Sequence, residues 1–81
     1  MDKELQVYYE NRFSMFSEQG WKDLMEDIDA RIAAINTLSG VETIETLYSR
    51  KGELDCLMWL RTLPDVSKDT YDSLNNEQNV A

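Results

Sequence analysis

Histidine is absent from the sequence, and cysteine occurs once, at Cys56. Without an imidazole the chain lacks the side chain that most often acts as a general base near neutral pH and as a zinc ligand. A single cysteine excludes a disulfide within the chain. Cys56 lies in the apolar run LDCLMWL, so it is expected to pack as a small buried hydrophobe. A nucleophilic thiol would want a basic helper close by. No second cysteine and no Asp-rich loop turning on a glycine is present, so neither a metal nor a cofactor is expected.

Proline is nearly missing as well. Pro64 is the single one, and Gly20, Gly40 and Gly52 are the three glycines. Everything before Pro64 is therefore free to be helical, and no stretch shows the apolar–polar alternation of a strand. No run approaches the roughly 18 apolar residues of a spanning helix. The opening residues MDKELQ have no apolar segment of a signal peptide. A protein without membrane contact, in the cytoplasm, is expected. Basic residues are in short supply too: 8 Lys and Arg stand against 16 Asp and Glu, a net charge of −8. That balance argues against direct nucleic-acid binding, which needs a Lys/Arg footprint, and against an anionic membrane surface.

What is present is a helical pattern. The 81 residues make one domain, and a single core at this length supplies only about 3–5 kcal/mol, so a partner is the natural supplement. Apolar residues recur at Trp21, Met25, Ile28, Ile32 and Ile35, a stripe widened by Leu24 and Leu38. This predicts a helix from Glu18 to Leu38, with Trp21 as its core anchor. In the stretch MFSEQGWKDL, Ser17 is suited to cap that helix, with Phe16 and Trp21 packing as a hydrophobic staple. The competing reading makes Gly20 the end of a preceding helix. Gly40 suits a left-handed helix ending, after which Thr43 caps a second helix from Ile44 to Leu63, stopped by Pro64. Folding about Gly40 would set Leu47 near Ile32, Leu54 near Met25 and Met58 near Trp21.

The second helix has apolar residues around most of its circumference between Leu54 and Leu60, more than one neighbour can cover. An N-terminal arm helix, Lys3 to Met15, carrying Leu5, Tyr9, Phe13 and Phe16, is the candidate cover in cis, and a second copy or another protein the candidate in trans. The expected fold is thus all-α: an antiparallel two-helix hairpin with an N-terminal arm helix over residues 1–64. A short, acidic, partly disordered C-terminal tail follows over 65–81, in which Ser67 caps one helical turn.

Several residues admit two readings. Gly52, in RKGEL, accommodates either a close-packed bulky neighbour or a hinge. Arg50, Lys51 and Arg61 form the basic cluster, to be paired with Glu26, Asp27 or Asp29, or to dock a partner. Tyr8 and Tyr9 suit core packing more than base stacking. Asp23, Glu26, Asp27 and Asp29 form an acidic face. It is a solvated surface, a mimic of nucleic-acid phosphates, a dock for a basic partner or a weak divalent-cation site. A helical hairpin offers no cleft for paired carboxylates, so no enzymatic activity is expected.

The pattern YYENRF, SEQGWKDLMEDI, LYSRKGELDCLMWL and LP resembles small helical proteins encoded by tailed bacteriophages of a short-tailed, podovirus-like kind. The likeness spans roughly residues 5–74, and GWKDL (Gly20–Leu24) and RKGEL (Arg50–Leu54) are its most specific pieces. Gln19 stands where similar sequences carry a proline. The resemblance brings no catalytic signature. It implies a protein made in the cytoplasm of a bacterial host, which either stays there or enters the virion. Three functions are expected in order: an assembly or virion accessory factor, an acidic inhibitor of a host nucleic-acid enzyme or defence system, and a small-terminase-like packaging component. The last lacks a basic DNA-reading helix. The partner is a second copy, giving a dimer, or another phage or host protein. The candidate contact residues are Trp59, Leu60, Cys56, Tyr9 and Phe13 on the apolar side, and Asp23, Glu26, Asp27 and Asp29 on the acidic side.

Overall fold

The structure, a computed structural model, describes residues 1–79, with side chains to 76. It is all-helical, with no strand among the described residues. Three helices follow one another: α1 (Lys3–Phe16), α2 (Gln19–Ile35) and α3 (Ile44–Asn79). Asp2 starts α1 by accepting the Glu4 N–H on Oδ1 at 3.2 Å. Such a cap satisfies one of the otherwise unpaired amides of the first turn.

In the stretch MFSEQGWKDL one helix ends and another begins. Ser17 closes α1 in a helical conformation, and its hydroxyl donates back to the carbonyls of Ser14 (2.9 Å) and Phe13 (3.4 Å). Those bonds commit its side chain to the preceding turn, so the expected cap of α2 is not made. Glu18 takes the cap position without a side-chain hydrogen bond. The two aromatics still meet: the rings of Phe16 and Trp21 lie 4.8 Å apart. Trp21 is half-buried rather than the core anchor, and Gly20 lies within α2 without the left-handed backbone of a helix ending.

α2 stops at Ile35, three residues before the expected end. Asn36 leaves the helical region at ψ 59°. The Ser39 N–H then bonds Thr37 Oγ1 at 3.2 Å, while Arg50 Nη1 donates to the carbonyls of Thr37 and Ser39, both at 2.8 Å. These bonds replace one further helical turn. Leu38, expected on the apolar stripe, is 74% exposed. Gly40 is needed where it stands. Its φ is +78°, in the turn closed by Val41 N–H to the Leu38 carbonyl at 3.0 Å, and L side chains rarely adopt that region. Thr43 caps α3 as expected, its Oγ1 accepting the Thr46 N–H at 3.1 Å.

Pro64 does not stop α3, which runs on through Asn79. A proline there removes the N–H that would bond the Leu60 carbonyl and crowds that turn. Packing beyond it offsets the cost. Ser67, expected to cap a separate turn, is instead buried inside α3 at 2% exposure. Its hydroxyl accepts from Arg12 Nη1 at 3.3 Å. Tyr71 packs edge-on to Phe13 and Tyr9, with centroids 5.4 and 6.0 Å apart. Within the expected partly disordered tail, residues 65–79 are helical, and Val80 and Ala81 lie outside the described residues.

Two ion pairs join α2 to α3: Arg31 Nε to Glu53 at 2.7 Å and Asp29 to Arg61 Nε at 2.6 Å. The Arg31–Glu53 pair falls five residues further along α3 than a fold about Gly40 places it. The connection from Asn36 to Thr43 is a real loop and not a tight turn, which shifts the register. Met25, Ile28 and Ile35 are the buried apolar residues among those described. Leu24, expected to widen the stripe, is exposed, and so is the Cys56 thiol. Shape explains the small core. The molecule measures 56 × 29 × 15 Å with a radius of gyration of 17.3 Å, against about 12 Å for a compact domain of this length. Its thinnest dimension is little more than one helix diameter.

Gly52 makes a sharp test of the packing. A Cβ built there meets nothing within 4 Å, so no bulky neighbour requires the glycine. Gly52→Ala should therefore stabilise α3 by about 1 kcal/mol, read as a rise of about 4–8 °C in melting temperature. A fall would show that the helix needs flexibility at this point.

Candidate interaction surfaces

The five apolar contact candidates do not form one patch in the structure. Tyr9 and Phe13 are half-buried, facing Tyr71 between α1 and the end of α3. Leu60 is half-buried. Trp59 is 60% exposed, and Cys56 is exposed. The arm therefore meets α3 at Ser67 and Tyr71, beyond the apolar half-helix for which it was the candidate cover in cis. What remains open on α3 is larger than the expected stretch. Ile44, Leu47, Tyr48, Met58, Trp59 and Val66 are all exposed.

Beside the start of this face lies a recess of about 370 Å³. Its walls are Ile35, Asn36 and Leu38 on the α2 side and Leu47, Tyr48 and Leu54 on α3. The recess lies where α2 has already ended and Arg50, on α3, tethers the loop through the Thr37 and Ser39 carbonyls.

The four acidic residues are exposed but not equivalent. Asp29 pairs with Arg61, and Asp23 accepts from Gln19 Nε2 at 2.9 Å. Glu26 and Asp27 make no ion pair among the described residues. No group of three or more potential metal ligands occurs among the described residues, and no helix is long and apolar enough to cross a membrane. Of the basic cluster, Arg61 takes its expected partner. Lys51 pairs instead with Asp55 at 2.8 Å, and Arg50 clamps the loop.

Arg12 was not singled out in the sequence. Its guanidinium sits 4.7 Å above the Tyr8 ring and 5.7 Å from that of Tyr9, donates to the Tyr8 hydroxyl, and reaches Ser67. These contacts tie Tyr8 and Tyr9 into the joint between α1 and α3. The available signal was spacing: Arg12 lies three and four residues after the two tyrosines, within reach on one helix face.

The Arg31 hydrogen bond holds the Glu53 carboxyl below its ordinary value, and the same bond raises Arg31. Glu53 therefore contributes stability above the ordinary carboxylate range and loses it as pH falls through its depressed folded value. For Arg31 the contribution persists across the whole physiological range. Glu53→Gln should leave a flatter melting-temperature profile between neutral and acid pH than the parent shows. Parallel profiles would mean that solvent screening erases the pair. No family model, curated protein or solved structure matches the chain, so its own residues carry the functional argument.

Proposed function

We propose that the protein is an assembly or virion accessory factor of a tailed bacteriophage, made in the bacterial cytoplasm and acting through protein–protein contacts, without catalysis or a cofactor. The working unit is an antiparallel α2–α3 hairpin with α1 as an arm. The observation that carries this reading is the exposed apolar face of α3, with Trp59 60% and Tyr48 67% exposed. Scattered apolar side chains are ordinary on a surface, but aromatics and Met left open on both sides of the Lys51–Asp55 pair are the residue types enriched at contact sites. The sequence resemblance supplies the phage setting.

A second reading rests on Glu26 and Asp27, exposed and without a paired cation among the described residues. It makes the protein an acidic inhibitor occupying the basic groove of a host nucleic-acid enzyme. Capture of the tagged chain from infected cells, followed by mass spectrometry, separates the two. Virion proteins retained by the parent and lost with Trp59→Ala are expected under the first. A host nuclease or polymerase, released steeply between low and physiological salt and lost when Asp23, Glu26, Asp27 and Asp29 are replaced by amides, would establish the second.

A further inference from the structure

One edge of the Arg50 guanidinium is unspent. Its Nη1 tethers the loop through the Thr37 and Ser39 carbonyls, both at 2.8 Å. The Nε and Nη2 hydrogens form a second, parallel pair of donors on the planar group, a geometry that matches the two oxygens of a carboxylate. Arg31 shows what that edge does in this molecule: it holds the oxygens of Glu53 at 2.7 and 3.0 Å. In Arg50 the same edge makes no hydrogen bond, and no carboxylate lies within ion-pair distance, among the described residues. Glu53 borders Arg50 in the polar recess on the α2 side, but Arg31 already takes both of its oxygens.

Arg50 also lines the 370 Å³ recess. Ile35, Leu38, Leu47 and Leu54, with the Tyr48 ring, make its walls apolar. A mostly apolar concavity with one fixed polar group is the usual makeup of a small-molecule site, and the volume falls in the range of roughly 300–1,000 Å³ common to such sites. It is more than twice the ~150 Å³ of a cavity that takes benzene. The net charge of −8 works against a bare anion, so an apolar body has to supply much of the binding and Arg50 the orientation.

We propose that the recess binds a small organic carboxylate with an apolar body of about ten carbon atoms, the body against Leu38, Leu47 and Leu54 and the carboxylate forked on Nε and Nη2 of Arg50. One guanidinium then holds the loop carbonyls on Nη1 and the ligand on its other two nitrogens, so occupancy steadies the loop over residues 36–41. The site is separate from Trp59, and the inference does not rest on the contact reading of α3.

Amide chemical shifts of the full chain at neutral pH, followed during titration with 2-naphthoate, test it. The neutral isostere 2-naphthamide and the bodiless anion acetate are the controls. 2-Naphthoate should bind with a dissociation constant of about a millimolar or below, as a ligand of roughly a dozen non-hydrogen atoms does, with shifts confined to residues 35–41 and 47–54. The amide should bind about tenfold more weakly, since it cannot make the charge-assisted fork, and acetate should move nothing at the same concentrations. Arg50→Gln should bring the naphthoate and the amide to the same affinity. That substitution also unties the loop, so Leu47→Asp is the second variant. It keeps Arg50 and the loop bonds, sets a carboxylate in the wall, and should abolish naphthoate binding. Equal binding of the two naphthalenes by the parent, or shifts centred on Trp59 in place of the recess, overturns the inference. So does naphthoate binding unchanged in Leu47→Asp, or the absence of any shift in the parent at several millimolar ligand.

Discussion

Ile28→Ala is expected to unfold a large fraction of the chain at 25 °C. Ile28 is one of three buried apolar residues among those described, with Met25 and Ile35, and is 7% exposed. Truncating a buried isoleucine costs about 2–5 kcal/mol, the sum of lost transfer free energy and the cavity left behind. A single core in a chain of this length yields about 3–5 kcal/mol in total. The two ranges overlap, so one substitution removes most of the available stability. Nothing else makes up the loss. There is no disulfide, and the ion pairs across α2 and α3 are solvent-exposed, a class that contributes about 1 kcal/mol or less. Urea melts at one fixed protein concentration check it, because self-association would otherwise shift the apparent stability. A midpoint close to that of the parent would mean that the core has other members, supplied across a subunit contact.

The three buried residues were legible in the sequence because helical periodicity is a local property. Met25, Ile28 and Ile35 fall on the stripe that predicts α2, and Thr43 marks the start of α3 by its own chemistry. The misplacements share one physical origin: a tertiary contact overrode a local rule. Pro64 is a helix stop by local sterics, yet Ser67 and Tyr71 gain enough against α1 to carry the helix past it. Ser17 has the right side chain for a cap, yet the preceding carbonyls take its hydroxyl. Leu38 fits the stripe, yet Arg50, distant in sequence, organises the loop carbonyls around it. Cys56 looked buried because its run is apolar on all sides, but a flat molecule has too little interior to bury such a run. The same flatness splits the candidate contact set. Tyr9 and Phe13 go to the joint with Tyr71, and Trp59 stays outside with Tyr48 and Met58.

Phe13→Ala is expected to detach the arm without dissolving the rest. Phe13 lies at the centre of a string of rings: 6.2 Å from Tyr9, 6.4 Å from Phe16 and 5.4 Å from Tyr71, with Trp21 reached through Phe16. Removing a phenyl ring costs about 3 kcal/mol at a site that is only half enclosed, the low end for such truncations. The cost is concentrated, because the links of α1 to α3 converge on this string and on the Arg12–Ser67 hydrogen bond. A free helix of 14 residues is marginal in water, so an undocked α1 unfolds. With it goes the compensation that carries α3 past Pro64. Hydrogen exchange read residue by residue should then speed up by about a hundredfold, the equivalent of roughly 3 kcal/mol, over residues 3–16 and 65–76. Residues 25–35 and 44–60 should keep the protection of the parent. Phe13→Leu should recover part of the loss by refilling the space with apolar volume. If exchange rises uniformly along the chain instead, α1 and the hairpin unfold as one unit and the joint at Ser67 is part of a single core. If it rises nowhere, the ring string is not what holds the arm. In the selective case the open face of α3 between Ile44 and Thr62 is left untouched.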